Sequence, residues 1–251
     1  MAAAIVRWAF GLLMLGSAAL AQSPPAEITV SIPVNTPLRE FGRLTLSEAY
    51  RRIGVVMRLE PLPAARSVEM ANQGVTDAEG GRVPEAMLAY TNLLRVPEPL
   101  LSLDYYAIAL DTAPDITRWS DLRNWRLCVQ LGDKLVETRT ADIPHETVRT
   151  LEAARQMLRA GRCDVMVINQ FNWLEIARQD FGPFCQGPLL ETVHVYHYVN
   201  RKHEDMIPRL AAALRELRRE GVIDQNLAPV RQEVSEAMRR NGCAATDAAR
   251  R

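Results

Sequence analysis

The side chains best suited to hold a small molecule fall in two groups: Asn35, Arg66, Glu79 and Arg82 early in the chain, and Gln130, Gly132, Asn169 and Gln170 in its middle. A guanidinium binds carboxylate or phosphate through paired N–H donors, and a side-chain amide offers a donor and an acceptor together. The chemistry open to such a set is recognition. Neither group holds a Ser-His-Asp set, paired carboxylates or a metal cluster, so no cofactor, metal or covalent step is expected. His194 and His197 come nearest to a metal pair, but three residues apart on an extended run they face opposite sides. Glu79 alone could serve as a general acid, which leaves a dehydratase-like enzyme as an alternative to binding.

The elements that must position these residues are announced by a repeat. Met70-Ala71-Asn72-Gln73-Gly74-Val75-Thr76-Asp77 returns as Met157-Leu158-Arg159-Ala160-Gly161-Arg162-Cys163-Asp164. Each copy ends an amphipathic helix, stops it at Gly and enters a β run through Asp, because a helix commonly ends on a residue at positive φ, where Gly is unstrained. Two copies imply two similarly built α/β lobes with a cleft between them.

Along the chain, β runs are expected over residues 28–32, 55–61, 78–82, 105–110, 126–130, 164–168 and 189–200, and helices over 47–53, 63–70 and 150–160 and from 207 onward, with helix starts also at Ser120 and Lys134. The intervening 95–99 stretch, rich in proline, reads as loose chain. The alternation predicts mainly parallel sheets flanked by helices, and in such sheets ligands bind beyond the carboxyl ends of the strands. Arg66 stands in the first turn of its helix, where a cation is unfavourable, so either Glu69 or an anionic ligand should offset it. Glu79 and Arg82 either pair with each other or face the cleft, and Asn169 and Gln170 either cap the next helix or meet a ligand. Gly132 opens a turn whose N–H groups could bind an acceptor. Asn35 lies in the loop that breaks the first β run.

Whole-chain properties narrow the class. Residues 1–21 read as an export signal, with Arg7 before an apolar run that falls short of a bilayer span and Ala19-Leu20-Ala21 as the cleavage pattern. Removing them takes Arg7 from the 30 basic and 30 acidic side chains, leaving 29 against 30 and no electrostatic footprint for nucleic acid. Residue 22 is Gln, so no lipid anchor is marked, and the product is expected to be soluble outside the cytoplasmic membrane, as a monomer. Cys128, Cys163, Cys185 and Cys243 match no zinc spacing; export permits disulfides, in any of three full pairings, with Cys128 equally readable as a buried thiol.

The order of these segments resembles the bacterial periplasmic solute-binding proteins of family 3, in a divergent branch. The resemblance rests on Leu62-Pro63-Ala64-Ala65-Arg66-Ser67, Gly74-Val75-Thr76-Asp77 with Arg82, Arg95-Val96-Pro97-Glu98-Pro99-Leu100 and Tyr196-His197-Tyr198-Val199-Asn200-Arg201-Lys202-His203. It implies a two-lobed α/β fold of the type II periplasmic-binding kind, with residues 26–108 and 198–240 in one lobe, 109–197 in the other, and crossing segments between them. It implies capture of a small polar or anionic solute, no catalysis, and delivery to an ABC permease or a membrane sensor. Amino-acid binders of the family carry an Arg that this chain lacks in 87–92, and an Asp where this chain has Asn169, so their ligand does not carry over.

Overall fold

The computed structural model describes residues 27–243; the expected export signal and the tail from residue 244 lie outside the described residues. The two repeat copies close in the same way. Gly74 and Gly161 take positive φ of 76° and 63°, and the next residues, Val75 and Arg162, donate their N–H back to Met70 and Met157 at 3.0 and 2.8 Å. The Asp that follows then docks twice on a neighbouring strand. Asp77 donates its N–H to Thr29 O and accepts from Thr29 N at Oδ2, and Asp164 repeats both bonds with Arg126. Each turn therefore sets the register of the strand it enters.

One eight-stranded sheet results, in the order β2-β1-β3-β8-β4-β7-β5-β6. At one end β1 (Glu27–Pro33) lies parallel to β2 (Val56–Leu62) and β3 (Ala78–Arg82). At the other, β5 (Leu127–Gln130) lies parallel to β6 (His145–Val148) and β7 (Val165–Asn169). Two long antiparallel strands, β4 (Leu93–Ala109) and β8 (Cys185–Asn200), join the ends. Helices α1 (Arg39–Arg52), α2 (Ala64–Asn72) and α6 (Ile207–Arg219) pack on the first end, and α3 (Lys134–Arg139), α4 (Leu151–Arg159) and α5 (Asn172–Arg178) on the second. The expected architecture of two parallel half-sheets and two crossing strands is the one observed.

Some elements differ from the sequence expectation. The proline stretch 95–99 is part of β4; the ladder shifts register between Arg95 and Pro99 and again before Leu101, because Pro offers no N–H to the ladder. Helix α1 begins at Arg39, ahead of the expected 47, and the helix start at Ser120 is one 3-10 segment, Trp119–Asn124. The edge strand β6 was not anticipated, its sequence His-Glu-Thr-Val being largely exposed. Nor was α7 (Val222–Asn241), whose internal Pro229 and charged outer face obscure a buried stripe of Ile223, Leu227, Val234 and Ala237. The cysteines form two disulfides, Cys128–Cys163 and Cys185–Cys243, so Cys128 is bridged and Cys243, just past the end of α7, is tied to the start of β8.

His194 and His197 do face opposite sides of β8. His197 is fully buried, with Nε2 2.7 Å from the Tyr50 hydroxyl and Nδ1 3.3 Å from Gly80 O. Burial lowers its pKa to about 4 from an ordinary value near 6.5. The unfolded chain therefore takes up a proton that the fold refuses, and stability held above pH 6.5 is lost as pH falls toward 4, by about 3 kcal/mol for this group. Urea titrations at pH 7 and pH 4.5 are expected to show that His197→Gln, though less stable at pH 7, loses less stability on acidification than the native chain.

Candidate functional site

At the first end of the sheet, the paired glycines after Glu79 serve the backbone rather than a ligand. A Cβ on Gly80 would lie 3.2 Å from Ser31 O, and one on Gly81 3.0 Å from Val195 Cγ1, so a side chain at either position would press on the neighbouring strand and Gly-Gly lets β3 sit this close. The ladder with β8 shifts register between Glu79 and Arg82. Residues three apart on a regular strand point to opposite faces; here the irregularity turns Arg82 back, and its Nε lies 2.9 Å from Glu79 Oε1. Glu79 is fully buried, accepting from Ser31 Oγ at 3.2 Å and Ser67 Oγ at 2.5 Å, and burial raises its pKa despite Arg82. The Arg82 Nε–H is not aimed at the carboxylate, so the pair is held by charge more than by a directed bond. A further Arg82 donor meets Ala64 O at 3.0 Å.

Arg66 and Asn35 are exposed nearby, in the first turn of α2 and in the turn after β1. Glu69 does not offset Arg66; it accepts from Gln73 instead, at 2.5 Å.

At the second end, Gly132 has φ 98° and its N–H is taken by Glu137 Oε1 at 2.6 Å, so it is not a free donor. Asp133 is the side chain missed there. It caps α3 by accepting from Val136 N at 3.3 Å, and receives the Tyr105 hydroxyl at the same distance. Burial raises its pKa. Asn169 pairs with Tyr105 in the sheet and its Oδ1 accepts from Phe171 N at 3.0 Å, in the turn just ahead of α5. Gln170 bonds β4 at both ends of its amide, accepting from Asp104 N at 2.7 Å and donating to Ser102 O at 3.1 Å, which continues the ladder past the end of β7. Gln130, at the end of β5, is half-buried.

The two ends meet through residues that spacing gave no reason to select. Glu85, in the 3-10 segment Pro84–Met87 that follows β3, accepts from Arg139 Nη2 at 3.1 Å. Arg139, at the end of α3, also grips Glu191 of β8 with Nε and Nη2 at 2.9 and 2.7 Å, and the Trp119 indole N–H joins Glu191 at 2.7 Å. The Arg139 guanidinium holds Glu191 below the usual carboxylate range. Glu85 Oε2 is enclosed and has no hydrogen-bond partner among the described residues. Beside this network stand Tyr105 and Trp119, ring centroids 6.5 Å apart. Among the described residues no group of three His, Cys, Asp or Glu is placed to hold a metal.

Two open hollows lie elsewhere, one of about 410 Å³ between α1 and α7 and one of about 290 Å³ between α5 and α7. They are grooves between packed helices, walled partly by charges already paired on the surface, such as Glu48 with Arg51 and Arg52. The strand-end cluster, with its desolvated carboxylates and aromatic wall, is the better candidate.

No family model matches the sequence. An uncharacterised protein of Shewanella oneidensis is 23% identical over 201 residues, 74% of each chain. Among solved structures, a mutant of the arginine-binding protein from T. maritima is similar with a TM-score of 0.61 and 16% identity, over 82% of this chain and 96% of that one. A probable amino-acid ABC transporter extracellular-binding protein of Bacillus subtilis gives 0.64 and 13%, over 81% and 96%. A histidine kinase sensor domain with similarity to periplasmic binding proteins gives 0.64 and 15%, over 81% and 95%. At these identities the likeness establishes the fold.

Proposed function

We propose that this chain, which has the two-lobed fold of the periplasmic binding proteins, captures a small polar solute between its lobes, residues 26–108 with 198–240 forming one and 109–197 the other. The observation that carries the reading is the seam at Arg139, where groups from both ends of the sheet converge beside the Tyr105 and Trp119 rings. The function is capture without covalent chemistry; a solute favours the closed state only by the extra contacts it makes there.

Of the residues singled out by sequence, Asn35, Arg66 and Gln130 are the ones offered to the solute from the two walls, and Asn169 and the added Asp133, each of which also holds bonds within the chain, stand beside them. Glu79, Arg82, Gly132 and Gln170 support them, since their polar atoms are engaged within the chain. An anionic solute would be met by Arg66, which has no ion pair among the described residues. The two disulfides fit a chain that works outside the cytoplasm. Loaded protein would pass its solute to an ABC permease; the similarity to a kinase sensor domain supports, as the second reading, docking on a membrane sensor.

A thermal-shift screen of amino acids, organic acids, polyamines and sugars tests capture. A true ligand at 100 times its dissociation constant adds ~2.7 kcal/mol to stability, a shift of several degrees. Silence across the panel would overturn the reading in favour of a docking role.

A further inference from the structure

We propose that Arg139 is a built-in clasp that holds the two lobes together before any solute arrives. Its guanidinium is the one group that bonds both sides of the seam in that network: Glu85 lies beyond β3, at the first end of the sheet, while Glu191, itself held by the Trp119 indole, fixes the same guanidinium from the second. The three charged side chains are neither free nor sealed, with 32%, 18% and 25% of Arg139, Glu85 and Glu191 exposed. That intermediate burial decides what the clasp can do. Fully exposed pairs contribute almost nothing, and fully buried ones lose most of their attraction to desolvation; a shielded network of charge-assisted bonds biases an equilibrium and leaves it reversible.

The arrangement also separates the roles of its members. Glu191 accepts from both Arg139 and the Trp119 indole, so Arg139 is pre-aimed at Glu85 whether or not the lobes touch. No entropy of ordering the guanidinium then has to be met at closure, which is the property of a preorganised latch. Because only a closed cleft presents both walls at once, the apparent dissociation constant for any solute equals the intrinsic one divided by the fraction already closed. The clasp thus sets affinity without touching the solute. The proposal shares with the functional reading the closing of the two lobes on each other, but it does not depend on what the solute is.

The test uses the ligand-free chain. Spin labels carried on unnatural keto amino acids at Glu60 and Glu146, exposed positions on the two edge strands β2 and β6, leave both disulfides intact and report the spacing of the lobes. The native chain is expected to show a dominant short distance. In Arg139→Gln and, independently, Glu85→Gln, which leaves the Arg139–Glu191 pair whole, the ratio of closed to open populations should fall about five- to tenfold. The double variant should fall no further than either single one, and 1 M salt should move the native chain in the same direction. Identical distance distributions in the native chain and both variants would overturn the clasp, whatever the solute screen returns. A clear clasp with a silent screen would retain it and remove the capture reading.

Discussion

Arg82→Leu is expected to destabilise the fold by about 3 kcal/mol at pH 8, because it strands the Glu79 carboxylate where no water reaches it. Breaking a buried pair on one side commonly costs ~3–5 kcal/mol, and the lower end applies since Arg82 itself is 19% exposed. The pH dependence identifies the cause. Burial already raises the Glu79 pKa, and losing the guanidinium raises it more. A carboxyl whose folded pKa lies above its unfolded value favours the fold at low pH and ceases to as pH rises through the folded pKa. The deficit of the variant should therefore shrink as pH is lowered from 8 toward 5, and Glu79→Gln combined with Arg82→Leu should recover most of the loss. Denaturant titrations at the two pH values read this directly. A loss of equal size at both would mean that Arg82 acts through packing, and a loss of solute affinity with unchanged stability would place it in the solute site.

Replacing Cys185 and Cys243 together with alanine is expected to cost about 4 kcal/mol, the loop-closure entropy of a bridge spanning 58 residues, and to lower Tm by roughly 10 °C. The bridge acts where α7 changes neighbours. The helix starts on the first end of the sheet, where Asn226 donates to Thr45 of α1 at 3.2 Å, and finishes against α5 at the second, with Ala237 beside Leu174 and Ala177. Its last residues are stitched to the start of β8 by Phe184 N to Asn241 O and Cys243 N to Phe184 O, at 2.8 and 3.0 Å. Without the disulfide, those two backbone bonds and the packing of Val234 and Ala237 are what hold the end of α7. Hydrogen exchange should accelerate over 234–242, while the β5–β7 pair stays protected. Removing Cys128 and Cys163 makes the contrast: it cuts a bridge of 35 residues between segments that Asp164 and Arg126 already fasten, so no remote element is released.

The features legible in the sequence are those whose bonds close within a few residues. The twin turns at Gly74 and Gly161 were readable because a helix end, a positive φ and an Asp docking on the next strand are all decided locally. Alternation gave the strands and the opposite facing of His194 and His197, since side-chain direction on a strand is a matter of parity. From these followed two parallel half-sheets and the crossing segments between them. What only the tertiary structure decided is which groups share a partner. Arg139 meets Glu85 across 54 residues, Cys185 meets Cys243 across 58, and the α7 stripe means nothing until α1, α5 and α6 are in place to bury it. Glu79 and Arg82 pair only because two glycines break the strand's parity between them. Such choices turn on desolvation and charge summed over chain segments far apart in sequence, and no local pattern encodes that sum.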